Sequence, residues 1–181
     1  SSNQPFTMAD ALRRLAREKK QIDKMSEEDG WYQVAYADED GRENKFKWIV
    51  TVMGPDEYAV NPTSDGKEDD APRPSPYAGG MFMVAVDFPN TYPTAPPKIK
   101  FETPVYHPNI KTETGEVCSD FLSKGWRPNL TVKYVIDCLR QLLAEPNGME
   151  PLEPEIGRQF NENIDAFDKQ ANEHAVRFAM D

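Results

Sequence analysis

Two thiols and two imidazoles, Cys118, Cys138, His107 and His174, are all that the chain holds of either group. A thiolate is a good nucleophile and its thioester a good acyl donor, so the question is which thiol is placed for that chemistry. Cys118 lies in Gly115-Glu116-Val117-Cys118-Ser119-Asp120, away from any strong helical or strand period, where solvent can reach it. Cys138 adjoins an apolar helical stripe and reads as a small core residue. Taken alone, even Cys118 fits a buried core position better than a nucleophile. A hydrolase also needs an imidazole to activate its thiol. His107 stands upstream in Tyr106-His107-Pro108-Asn109, where the proline fixes the chain and the ring reads as a backbone-bonding group. His174 reads as surface or core-edge. No metal-ligand spacing appears, and two cysteines are too few for a disulfide scaffold.

The elements that must carry these residues are legible in the hydrophobic pattern. The chain has 181 residues, enough for one domain with a sizeable core. Thr7 and Asp10 resemble a capping box. Behind them Met8, Leu12, Leu15, Ile22 and Met25 recur at helical spacing, with Arg13, Arg14, Arg17, Lys19, Lys20 and Lys24 expected outside. Strands are predicted over 31–37, 46–53, 81–88 and 98–101, joined as an antiparallel meander, with a DG turn after the first. Between the second and third lies a long connection, of which 56–75 reads as an acidic, Pro-rich insertion and a solvated, tolerated loop. Residues 89–130 read as irregular, with Tyr92, Tyr106, Phe121 and Trp126 as apolar anchors. Helices are predicted over 132–144, near 155–160 and over 164–180. The expected class is α+β. Residues 1–7 are expected to be a flexible N-terminus or a cloning remnant, and 8–181 a single domain.

The charge balance excludes some functions. Against 21 Lys and Arg stand 31 Asp and Glu, a formal charge of −10. Phosphate contacts need clustered cations, so a general nucleic-acid binder is not expected. Nor is a membrane protein, because the longest apolar run is Met81–Val86. The expected location is cytoplasmic, with the nucleus also open, and the thiols reduced.

The run PYAGGMFMVAVDFPNTYPTAPPKIKFETPVYHPNI, followed by GEVC and then by Trp126-Arg127-Pro128, resembles the catalytic domain of ubiquitin-conjugating enzymes. The similarity covers about residues 8–180. KWIVTVMGP is similar to the family's second strand, and EPNGMEPLEPEI to the turn after its second helix. The resemblance implies the UBC fold: an N-terminal helix, a four-stranded meander, a long irregular active-site region and C-terminal helices.

It also implies roles. Cys118 would accept ubiquitin, or a ubiquitin-like modifier, as a thioester from the activating enzyme, and pass it to a lysine amine with no cofactor. Asn109 would donate to the developing oxyanion or hold the adjacent loop. Glu150, where the family usually has Asp, and Asp120 would orient the amine and accept its proton. His107, Pro108 and Tyr106 would be structural neighbours. The basic helix, through Arg13, Arg14, Arg17 and Lys20, would meet the activating enzyme. Ligases would dock at Thr94 and at Trp126, Arg127 and Pro128. Thr94 stands where many relatives carry a large apolar residue, which favours RING-type over HECT-type ligases. Ser119 replaces a common Leu, and the segment from His107 to Cys118 is one residue longer than is common. Protein substrates complete the expected partners. The alternatives are a conjugating enzyme for another modifier, a non-catalytic partner of such an enzyme, and a cysteine hydrolase, which lacks a convincing His and acid pair.

Overall fold

The computed structural model describes residues 4–62 and 71–181. The acidic stretch Asp65–Asp70 and the first three residues lie outside the described residues.

The first helix, α1 (Met8–Asp29), begins at a complete capping box: the Thr7 side chain accepts from the Asp10 amide, and the Asp10 carboxylate accepts from the Thr7 amide. It runs one turn beyond the predicted end, to the left-handed Gly30 that stops it. Ala11, Leu15 and Ile22 form its buried stripe. The meander follows as β1 (Tyr32–Glu39), β2 (Arg42–Met53), β3 (Met81–Asp87) and β4 (Lys98–Phe101), antiparallel and in the order β1-β2-β3-β4. The β1–β2 hairpin closes on Asp40 and Gly41, with φ of 54° and 77°; a DG pair adopts this turn at little cost. β2 therefore starts four residues before the predicted strand, with a register shift after Tyr36.

Trp48, Val50 and Val52 of β2 and Phe82, Val84 and Val86 of β3 point to one buried face. Four helices follow: α2 (Asp120–Ser123), α3 (Val132–Ala144), α4 (Pro154–Glu162) and α5 (Ile164–Ala179). Ile136, Leu139 and Leu143 of α3, Leu15 and Ile22 of α1, and Phe167 of α5 join the same core. Met53, Met81 and Met83 stand exposed on the strands.

Four expectations are corrected. Residues 120–123 form the short helix α2 inside the region read as irregular. Four residues are too few to show a helical period. Cys138 is half-buried at the core edge, beside the exposed Tyr134, and burial pushes its thiol up. Arg14 turns inward: its Nε donates to Glu18 at 3.0 Å and its Nη2 to the Leu130 carbonyl at 3.1 Å. The described limbs of the insertion are not merely solvated. The Tyr58 amide donates to the Arg73 carbonyl (3.0 Å) and the Ser75 amide to that of Asp56 (2.9 Å), while the Ala59 amide reaches Ala144 at the end of α3 (3.0 Å). Arg73 forks onto α5, with Nε on Asp168 at 2.7 Å and Nη2 on Asp165 at 2.6 Å, and the Tyr58 hydroxyl donates to Asp168 at 2.5 Å. Composition marked the segment as polar but could not show that one arginine and one tyrosine anchor it.

Candidate active site

Cys118 is exposed, on the short link between a small hairpin and α2. Isolated bridges pair His107 with Ile110, Ile110 with Val117, and Lys100 of β4 with Glu116. The turn between is held by Lys111 N–H on the Glu116 carbonyl (2.9 Å) and Gly115 N–H on that of Lys111 (2.7 Å). Gly115, at φ 77°, lies so close to β4 that a Cβ there would stand 1.8 Å from the Phe101 carbonyl oxygen. The Phe101 amide also donates to the Gly115 carbonyl at 2.8 Å. The thiol thus hangs from the edge of the sheet, and the Phe121 amide caps the Cys118 carbonyl at 2.9 Å. Asp120 is exposed in the first turn of α2. A recess of ≈560 Å³ opens beside Cys118, lined by Pro97, Lys98, Ile99, Val117, Phe121 and Leu122. Ser119 also borders it.

His107 is wholly buried. Its Nδ1 accepts from the Asn109 amide at 2.9 Å, so Nε2 carries the proton and donates to the Leu142 carbonyl at 2.8 Å. Burial lowers its pKa to about 4 from an ordinary 6.5. Its ring stacks on Tyr77, with centroids 5.7 Å apart. With both nitrogens engaged and the ring sealed from solvent, it has no free position from which to deprotonate a thiol. Pro108 is buried, and its carbonyl accepts from Leu152 (2.8 Å) and Glu153 (3.1 Å). The Tyr106 hydroxyl donates to Gln159 of α4 at 2.6 Å.

Asn109 grips the loop after α3 from both ends of its amide. Its Nδ2 donates to the carbonyls of Asn147 (2.9 Å) and Glu150 (3.4 Å), and its Oδ1 accepts from Asn147 N–H (2.8 Å). The His-Pro-Asn turn therefore carries the loop on which Glu150 stands exposed. The Cys118 hairpin is tied to the same frame, because the Thr112 amide donates to the Glu153 carboxylate at 3.1 Å.

The residues expected to meet partners form a second group. Trp126 Nε1 donates to the Pro93 carbonyl at 2.8 Å, which joins the turn bearing the exposed Thr94 to the loop bearing the exposed Arg127 and Pro128. Arg17 and Lys20 are exposed on α1, whereas Arg13 is paired with Asp10. Beneath them Glu18 is 5% exposed. Its carboxylate accepts from the Tyr92 hydroxyl (2.6 Å), the Val132 amide (2.9 Å) and Arg14. Glu18 escaped the sequence reading because it sits among cations on a polar stretch; the only signal was its i, i+4 spacing from Arg14. Among the described residues no group of His, Cys, Asp and Glu is arranged to hold a metal ion, and no helix is long and apolar enough to cross a membrane.

The family model described as "Ubiquitin-conjugating enzyme" matches residues 70–175. A curated Arabidopsis thaliana relative, "Probable ubiquitin-conjugating enzyme E2 31", is 39% identical over 136 residues, covering 75% of this chain and 77% of the relative. Among solved structures, the E2 domain of a Toxoplasma gondii ubiquitin conjugating enzyme superposes with a TM-score of 0.73 at 28% identity, over 92% of this chain and 97% of that one. A Plasmodium yoelii protein assigned to the ubiquitin conjugating enzymes gives 0.77 at 33% identity, over 94% and 96%.

Proposed function

Because the chain belongs to the ubiquitin-conjugating enzyme family, we propose that Cys118 carries a modifier, ubiquitin in the first instance, as a thioester and transfers it to lysine amines. The observation that supports this most is the exposure of Cys118 on a hairpin tied to the loop of Asn109 and Glu150. In loading, the Cys118 sulfur attacks the carbonyl of the activating enzyme's thioester. A new C–S bond forms, the old one breaks, and the thiol proton passes to the departing thiolate. In discharge, a lysine nitrogen attacks the same carbonyl, the C–S bond to Cys118 breaks, and the amine proton ends on a base.

The difficult part of discharge is that proton. With an ordinary lysine pKa near 10.4, only about one amine in 2,500 is neutral at pH 7. The site must desolvate the ammonium, which favours the neutral form, and supply a carboxylate to take the proton. Glu150 and Asp120 are the carboxylates assigned to this work. Asn109, with its amide committed to the backbone of 147 and 150, is assigned to hold Glu150 in place rather than to face the carbonyl in the resting enzyme. Exposed Arg17 and Lys20 receive the activating enzyme, and the joined surface at Thr94 and at Trp126, Arg127 and Pro128 a RING-type ligase. A free thiol suits a reducing compartment, cytoplasmic or nuclear.

The test is loading with activating enzyme, ATP and tagged ubiquitin, followed by a non-reducing gel. A thiol-sensitive band is expected, with a thiol-resistant ester in Cys118→Ser. Asn109→Ala and Glu150→Ala should load normally and discharge to lysine at least tenfold more slowly. Loss of loading in either would refute its role, and no adduct with any modifier would refute the reading.

A further inference from the structure

The insertion is fastened at the point where it passes the Glu150 loop, and a cleft opens between the two. It measures ≈370 Å³ and is lined by Tyr58, Val60, Pro62, Pro146, Met149 and Phe160. Its floor is fixed. Tyr58 is buried and bonded to Asp168, Ala59 is bonded to Ala144, and the Asn161 side chain donates to the Gly148 carbonyl at 2.9 Å. Its rim is two unusually bare apolar side chains: Val60 is 66% exposed and Met149 82%. Glu145 lines it and is exposed, and the exposed Glu150 and Glu162 follow the lining residues Met149 and Asn161 along the chain. Asn147, another lining residue, accepts directly from Asn109.

We propose that this cleft is an acceptor-selecting subsite, which takes an apolar side chain from a basic segment of the protein whose lysine attacks at Cys118. This rests on the transfer reading above. Continuity with the Glu150 loop argues for an acceptor: Met149, on the rim, precedes the carboxylate assigned to the amine. Adjacent Cα atoms lie about 3.8 Å apart and an extended chain advances about 3.3 Å per residue. An apolar side chain seated against Met149 therefore belongs within a few positions of the lysine, the side chains adding their own reach. The carboxylate of Glu145, with those of Glu150 and Glu162 next along the chain from lining residues, suits a segment of positive charge and disfavours an acidic one. Apolar lining with a charged rim matches the anatomy of protein-binding sites.

Two measurements test this with the full chain. One compares single-turnover discharge of the Cys118 thioester to free lysine, to a basic peptide with leucine three residues from its one lysine, and to that peptide with serine for leucine. The leucine peptide should discharge it about tenfold faster than the serine peptide, the factor expected for part of a buried leucine. In Val60→Ser and Met149→Ser the ratio of leucine-peptide rate to free-lysine rate should fall about tenfold. The other measurement is amide chemical-shift perturbation on the unloaded Cys118→Ser protein, where the leucine peptide should move Val60, Met149 and their neighbours and the serine peptide should not. An enzyme that loads and discharges to free lysine but treats both peptides alike overturns the subsite while leaving the transfer reading intact. If no thioester forms, both fall. Peptide shifts confined to another face overturn the subsite.

Discussion

Replacing Glu18 should damage the partner-facing surface more than any exposed cation on α1. Its carboxylate is buried and accepts from three donors on three segments: the Tyr92 hydroxyl, the Val132 amide and the Arg14 guanidinium. Arg14 in turn reaches the carbonyls of Leu130 and Pro128 (3.1 and 3.4 Å). Glu18→Leu fills the volume and removes every acceptor. Leaving such donors buried and unmatched costs about 1–3 kcal/mol apiece, and breaking one side of a buried ion pair about 3–5 kcal/mol. Arg14 keeps a quarter of its side-chain surface in water and can recover part of its solvation, so the expected loss is about 3–5 kcal/mol. Glu18→Gln keeps one acceptor oxygen but turns an NH₂ toward a donor; about 2 kcal/mol is expected. At roughly 2–4 °C per kcal/mol for a domain of this size, Glu18→Gln should lower Tm by about 4–8 °C. Urea unfolding gives the free energies, and a cycle with Tyr92→Phe should show coupling of about 1 kcal/mol or more. A Glu18→Leu protein destabilised by under about 1 kcal/mol would mean that the three donors do not depend on this carboxylate.

Stability should fall with acid through His107. Its folded pKa is depressed to about 4, so between pH 6.5 and 4 the unfolded chain binds a proton that the folded one refuses, and about 3 kcal/mol is lost as pH falls through that window. Urea titrations across pH 4–7 should show this slope, and His107→Gln should flatten it; an unchanged slope in the variant contradicts the assignment. Gly115→Ala should cost about 3 kcal/mol or more, because its Cβ strikes the Phe101 carbonyl and its φ is left-handed; a melt within 2 °C of the parent would refute the packing. Arg73→Ala should cost about 1–2 kcal/mol, and Arg73→Lys should recover little, since lysine cannot fork onto Asp165 and Asp168; full recovery would reduce the clamp to simple charge. Alkylation should modify Cys118 well before the half-buried Cys138; the reverse order would contradict the exposures.

What the sequence carried follows from the range of each interaction. The strands of the meander and helices α1, α3 and α5 were legible because burial on one face imposes a period that runs for several residues, as in Trp48, Val50 and Val52. The DG turn and the Thr7 box were legible because each is decided by residues within four positions. The short α2 carries no period. Arg14 has the composition of a surface residue and shows its inward turn only through Leu130, far along the chain. The Arg73 clamp spans from the insertion to α5 and leaves no local mark. At the site, Cys118, His107 and Asn109 were singled out through the order of their motifs. The grip of Asn109 on Asn147 and Glu150, and the buried carboxylate of Glu18, belong to tertiary contact alone.

Intact-mass analysis of the loaded protein shows whether the Cys118 sulfur is the atom that carries the modifier. After incubation with activating enzyme, ATP and ubiquitin, a gain of one ubiquitin less one water is expected, lost on adding thiol, retained in Cys138→Ala and absent in Cys118→Ala. An adduct that survives in Cys118→Ala, or its absence from the unaltered chain with ubiquitin and with every ubiquitin-like modifier tried, would overturn that assignment.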